Sequence, residues 1–155
     1  MITIEAIKSE QTKLAEMIAR FEAQIQSKRI VTIPRIEIEL HDGEHYAGIL
    51  LGKDGTPDQH LILLPGEAES VNWQDAKDFS AKAGGELPTR REQALLYANL
   101  KEQFQENYYW SGEQHAAYSG YAWCQSFDYG DQDIISKSDK LRARAVRRSN
   151  RAPPC

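Results

Sequence analysis

Alternation of side chains over residues 121–129 constrains this chain more than any other feature of it. Tyr121, Trp123, Gln125, Phe127 and Tyr129 fall on one side of an extended backbone, and Ala122, Cys124, Ser126 and Asp128 fall on the other. A two-residue period belongs to a strand and not to a helix. The surrounding stretch, from Tyr108 to Arg148, reads as one small β-unit. Tyr108, Tyr109 and Trp110 enter it, SGEQHAAYSG forms a polar loop, and DYGDQD turns the chain after the strand. Ile134 and Ile135 lead to a second turn at SKSDK, and LRARAVRR closes as a last strand. Three strands joined by two turns predict a meander. Cys124 is expected to pack as a small apolar side chain.

The amino-terminal part has another period. Ile4, Ile7, Gln11, Leu14, Ile18, Phe21 and Ile25 recur at alternating steps of three and four, an a/d heptad seam on a helix from Thr3 to about Ser27. That seam is narrower than the apolar stripe of a helix buried on its own domain, so self-association is the simplest expectation. A polar a-position such as Gln11 sets register. Ile4 and Ile18 at a suit a dimer, whereas Ile7 and Phe21 at d are not the Leu that dimers prefer; the reading leans to a trimer and leaves the dimer open. Met17 widens the seam and supports the alternative, a helix folded back over its own sheet. The expected organisation is an oligomerising helix over residues 1–28 and one further domain over 29–155.

Between these ends the chain alternates short strand and helix signals. Arg35 to Leu40 alternates charged and apolar residues, HDGEH supplies an Asp-Gly turn, and Tyr46 to Leu51 is expected to return as the second strand of a hairpin. The apolar run His60 to Leu64 is expected at the centre of a sheet. NWQDAKDFSAKAG reads as a helix opened by Ser70 or Asn72 and ended at Gly84-Gly85. Thr89 is expected to cap another helix from Arg90 to about Phe104, with Gln93 near the capping-box position.

Taken together, ELPTRREQALL, the YWS at Tyr109–Ser111, YAWCQSF, the turn glycine Gly130 and RAVR at Arg144–Arg147 resemble the Lcl C-terminal domain family of phage and bacterial proteins. The resemblance covers roughly the second half of the chain, most clearly residues 86–148. It implies an α+β, C-type-lectin-like domain, with two helices on small antiparallel sheets and with Trp110, Trp123 and Phe127 in the core. Such a domain is distantly akin to phage variable tropism determinants and to formylglycine-generating enzymes. In the tropism determinants the ligand-facing residues come from this C-terminal strand-and-loop region, which directs attention to His115, Tyr118 and Tyr129. The enzymes' chemistry uses a pair of cysteines, and only Cys124 lies in this domain, so that activity does not carry over.

Chemistry read from the residues themselves agrees with a binding role. No GxSxG, HExxH, CxxC or phosphate-cradling glycine loop is present, and neither enzymatic activity nor a cofactor is expected. His41 and His45 are separated by an Asp-Gly turn unsuited to a metal pair. Asp128, Asp131 and Asp133 place oxygen ligands at intervals suited to calcium, but Asp and Gly are also the ordinary residues of tight turns, so the expectation is no metal site. Cys155 follows Pro153 and Pro154 at the end of the sequence, and no disulfide with Cys124 is expected.

A net charge of −4 speaks against general nucleic-acid binding. Arg142, Arg144, Arg147, Arg148 and Arg151 nevertheless cluster without an acid, as a phosphate-binding patch would. In the preferred reading Arg142 and Arg144 lie on the exposed face of the last strand and Arg147 pairs with carboxylates. What remains is a surface of Tyr118, Tyr121, Tyr129 and His115, with Glu113 and Gln114 adding hydrogen bonds, for a protein partner. The expected function is noncatalytic, phage-type recognition, multiplied by the helix and associated with a virion or tail. The alternatives are a small inhibitor that blocks a host defence protein, and last a metal-assisted enzyme. The start lacks the order of a secretion signal and no run would span a bilayer, so a cytoplasmic protein is expected, with virion association open.

Overall fold

A computed structural model describes residues 3–26, 29–33 and 35–150, without the side chains of Ile25 and Gln26. Ile25 as a seam residue, the helix end at Ser27, Arg151 and Cys155 therefore lie outside the described residues. The chain is mixed α and β, and it divides into two compact units, Met1–Ile36 and Glu37–Cys155, later than the boundary after residue 28 read from the sequence.

The first unit contains helix α1, Ile4–Gln26. Its first turn is closed by Thr3, whose Oγ1 accepts from the N–H of Ala6 at 3.2 Å. Ile4, Ile7, Leu14, Met17, Ile18 and Phe21 are all exposed, as is Gln11. The second unit holds strands β1 (His45–Leu50), β2 (Gln59–Leu63) and β3 (Ala68–Val71), then helices α2 (Trp73–Lys82) and α3 (Arg90–Leu100). It continues through β4 (Tyr108–Gln114), β5 (Tyr121–Ser126), β6 (Gln132–Ser136), β7 (Leu141–Ala143) and β8 (Val146–Asn150). Among the described residues these strands make two small sheets, ordered β1-β2-β8 and β3-β7-β4-β5-β6. Among the described residues no helix is long and apolar enough to cross a membrane.

Strand β2 is the buried centre of its sheet, as its apolar run requires: Leu61, Ile62 and Leu63 have no exposed surface. Its hairpin partner differs from the expected one. Residues 35–40 form no strand; β1 pairs with β2, and Glu39 of the earlier segment accepts from Arg147 at its carbonyl at 3.0 Å. The alternation there runs along a segment without a ladder, a distinction that side-chain period cannot make. Gly48 explains why β1 bends. It sits at a register shift with φ +126, and Asn99 of α3 approaches there to donate to the carbonyl of Ala47 at 2.6 Å.

Helix α2 begins at Asn72, whose side chain accepts from the N–H of Asp75, and its chain end passes through Gly84 at φ +90. Helix α3 is opened by a complete capping box, but the residue closing it is Glu92 and not Gln93. Thr89 Oγ1 accepts from the N–H of Glu92 at 3.2 Å, and the N–H of Thr89 donates to the Glu92 carboxylate at 2.8 Å. The helix stops at Leu100, earlier than expected, because a tight turn over Lys101–Gln103 carries the chain to Phe104.

The long sheet is covered on both faces. Trp110, Ala122, Cys124 and Ala143 pack with Trp73 and Ala76 of α2, while Tyr109 and Phe127 pack with Leu96 and Leu100 of α3. Adjacent residues of β4 thus enter different cores. Trp123 departs from its expected core position: it is half-buried beside Arg90 at the polar end of α3, whereas Trp110 and Phe127 are buried as expected. The strand also stops at Ser126, and residues 127–129 begin the turn.

The meander is overturned as well. After β6 the chain crosses the sheet to run between β3 and β4, antiparallel to the first and parallel to the second. The single closing strand is in fact two. Arg144 and Ala145 carry the chain from β7 in one sheet to β8 in the other, and at that crossing Arg144 is buried, not exposed. Its guanidinium donates to the carbonyls of Gln103 and Leu64 at 2.7 and 2.8 Å, groups that the sheet ladders leave free. Arg142 is half-buried against Glu67 at 3.0 Å. The cluster of arginines therefore does structural work, and Arg147 pairs as expected, with Glu44 at 2.8 Å.

That last pair gives a pH dependence. The hydrogen bonds from Arg147 hold the Glu44 carboxyl down from 4.5 to about 2, against an opposing effect of burial. A folded-state pKa below the unfolded one contributes stability that is complete above pH 4.5 and is lost as pH falls through about 2. Urea midpoints of the native chain and Glu44→Gln are expected to differ most at neutral pH and to converge across that window. A difference that stays constant down to pH 2 would remove the pair from the account of acid stability.

Candidate functional site

The β4–β5 hairpin carries most of the residues singled out from the sequence, and its geometry follows from local hydrogen bonds. Strand β4 runs to Gln114, so Glu113 and Gln114 belong to a strand and not to the expected loop. The turn beyond them is organised by His115. Its N–H donates to the carbonyl of Tyr121 at 2.9 Å, and its Nδ1 accepts from the N–H groups of Ala117 and Tyr118 at 3.1 Å each. This holds the imidazole against the ring of Tyr118 at 5.0 Å and 22°, and near the ring of Trp123 at 5.6 Å and 31°. Tyr121 meets Tyr118 edge-on at 6.2 Å. With Tyr118 60% and Tyr121 43% exposed, the result is a ridge of aromatic rings open to solvent but held in place.

Tyr129 is not part of that ridge. It lies beyond the other end of β5, a strand about 17 Å long at roughly 3.4 Å per residue, and is 82% exposed. Gln114 is drawn away too, accepting from Lys137 Nζ at 2.6 Å. Asp128 is half-buried, while Asp131 and Asp133 are exposed, and Asp133 accepts from the N–H of Ile134 at 2.8 Å. Among the described residues no three His, Cys, Asp or Glu side chains gather as a metal site. Cys124 is buried, and burial, with Asp133 nearby, pushes its thiol up to about 12. At neutral pH it is a protonated thiol in the core under α2.

Beside the ridge lies an open cleft of about 960 Å³, lined by Lys53, Arg90, Arg91, Glu113, Gln125 and Gln132 among others. Glu113 lines the cleft and accepts from the N–H of Arg90 at 3.4 Å. Arg90 had no signal in the sequence beyond standing first in a capped helix. In the fold its guanidinium lies 3.5 Å from the centre of the Trp123 ring, and its Nε donates to Gln132 at 3.0 Å. Gln132 in turn donates to the carbonyl of Arg90 and to Gln125, both at 2.8 Å, and Gln125 donates to the carbonyl of Gln93 at 3.2 Å. Gln132 thus fixes the guanidinium and is itself held by Gln125, which is tied to the backbone of α3, a junction that only long-range pairing creates.

Two further arginines line the cleft with hydrogen bonds already made. Arg148 makes a two-pronged contact with the buried carboxylate of Glu92 at 2.6 and 2.7 Å and reaches Glu86 at 3.3 Å. Arg91 donates to the carbonyl of Leu51 at 3.1 Å. A rigid aromatic edge beside a polar, partly cationic cleft can grip a surface by stacking, apolar contact and charge-assisted hydrogen bonds. No family model matches this chain, and neither does any curated protein.

Proposed function

We propose that the chain is a noncatalytic recognition protein of phage type, in which a C-type-lectin-like domain binds a protein through the ridge of His115, Tyr118 and Tyr121. The resemblance to the Lcl C-terminal domain family and the tropism determinants supports this reading. The observation that carries it is the ridge itself: the His115 ring is held by two backbone N–H groups and stacks on Tyr118, and Tyr118 and Tyr121 stand exposed against each other, so the packed rings lose less side-chain entropy when a partner covers them. The exposed heptad residues of α1 support a second part of the proposal, self-association through that helix into a dimer or trimer. Several ridges on one assembly would turn weak single contacts into firm attachment.

Capture of partners from host lysate and from host envelope tests the reading. Tyr118→Ala is expected to weaken capture about thirtyfold, the effect of losing about 2 kcal/mol at a contact centre. Tyr129→Ala, at the other end of the strand, is expected to leave it unchanged. Equal capture by both variants and the native chain would reject the ridge. A soluble host enzyme as the captured species would favour an inhibitor over a virion component. Light scattering that returns a mass near 17.6 kDa, one chain, would remove the multivalent part.

A further inference from the structure

We infer that Arg90 is the specificity-determining residue of this site and that the cleft takes a carboxylate from an acidic segment of the partner protein. The inference rests on the recognition reading above and adds what is recognised. Arg90 lines the cleft, and its Nε is occupied by Gln132, but its terminal nitrogens Nη1 and Nη2 have no acceptor among the described residues. One face of the guanidinium is backed by Trp123 and its edge is fixed by the chain of glutamines. A guanidinium held this way presents two parallel N–H donors end-on, which is the geometry a carboxylate accepts. Because the fork is already positioned, binding would not have to immobilise it.

The surroundings favour an acidic peptide over a nucleic acid. With Arg148 neutralised by Glu92 and Glu86, Lys53, Arg90 and Arg91 outnumber Glu113 and leave the cleft locally cationic. Three cations are enough for a few carboxylates. A polyanion would instead meet Glu113 inside the cleft and a chain of net charge −4 around it. The aromatic ridge lies next to this anchor through Trp123, so a segment with an acidic residue beside apolar ones would engage both.

The test follows the arginine Nε–H signals of the full ¹⁵N-labelled chain during titration with a blocked acidic pentapeptide (GDEDG). Its amide counterpart (GNQNG), inorganic phosphate and oligothymidylate serve as separate arms. The acidic peptide is expected to shift the Arg90 signal saturably while the amide peptide does not. Arg90→Lys is expected to weaken that binding about tenfold or more, the loss of one charge-assisted pair. Gln132→Glu should abolish it by supplying the guanidinium with an internal carboxylate, and it carries the test if the lysine variant does not fold. Equal shifts from the two peptides, unchanged affinity in both variants, or tighter binding of oligothymidylate would each overturn the inference. If Tyr118→Ala loses partner capture while Arg90→Lys and Gln132→Glu keep it, the anchor is overturned and the recognition reading stands. If none of the three affects capture, both fall.

Discussion

Arg148→Ala is expected to destabilise the second unit by about 3–5 kcal/mol, the effect of leaving one member of a buried ion pair alone. The carboxylate concerned is that of Glu92, only 1% exposed. Both of its oxygens receive hydrogen bonds from Arg148, and one also receives the N–H of Thr89 as part of the capping box. The pair therefore joins the start of α3 to β8, and the same hydrogen bonds raise the pKa of Arg148 above its ordinary value. Removing the arginine leaves a charge inside a space that water reaches poorly. The double variant Glu92→Gln with Arg148→Met removes that charge while keeping an acceptor for Thr89, and it is expected to be the milder of the two. Urea unfolding compares them. A double variant as unstable as Arg148→Ala would mean that the lost stability lies in packing or in the capping box and not in an unpaired charge.

Trp110→Ala is expected to cost about 3–5 kcal/mol, through a cavity that the surrounding residues cannot fill. The ring has no exposed surface and stands among Trp73, Leu87, Ala122 and Cys124, where its neighbours are too small or too firmly held to close over the gap. Its Nε1 also donates to the carbonyl of Val71 at 2.8 Å, joining β4 to the end of β3. Trp110→Phe keeps most of the ring volume and loses that bond, so about 1–3 kcal/mol is expected. Equal costs for the two variants would shift the explanation from cavity formation to the hydrogen bond.

The first effect centres on α3 and the second on the α2 side of β4, and the recognition site is built at the start of α3. Glu92 and Gln93 are adjacent on that helix; the first holds β8 through Arg148, and the second donates to the carbonyl of Tyr109 at 3.1 Å. Arg90 starts the same helix and is gripped from β5 and β6. A segment that anchors both sheets offers a stiff base for a binding edge, because its side chains cannot yield without breaking buried contacts.

Several features were legible in the order of residues because they arise from near neighbours. Asn72 and Thr89 open helices since each side chain reaches an N–H three residues on. Asp42-Gly43 turns the chain, Gly84 ends α2, and the run around Leu61–Leu63 lies at a sheet centre. The aromatic group at the β4–β5 turn was legible in part: His115, Tyr118 and Tyr121 come together because seven residues of chain connect them. Tyr129 followed the same alternation on paper but falls past the point where β5 ends, and a period carries no information about where a ladder stops.

Local sequence thus determined where helices start, which runs are extended, and that the second half of the chain would be rich in aromatic strands. Tertiary structure alone decided that β7 crosses between β3 and β4, that Arg144 goes inside to serve carbonyls of distant segments, and that Arg90 is held between Trp123 and Gln132. The reason is the range of the forces involved. Caps and turns are satisfied within a few residues, whereas strand order and the pairing of buried polar groups depend on segments eighty or more positions apart, as Arg144 and Leu64 or Arg147 and Glu44 are.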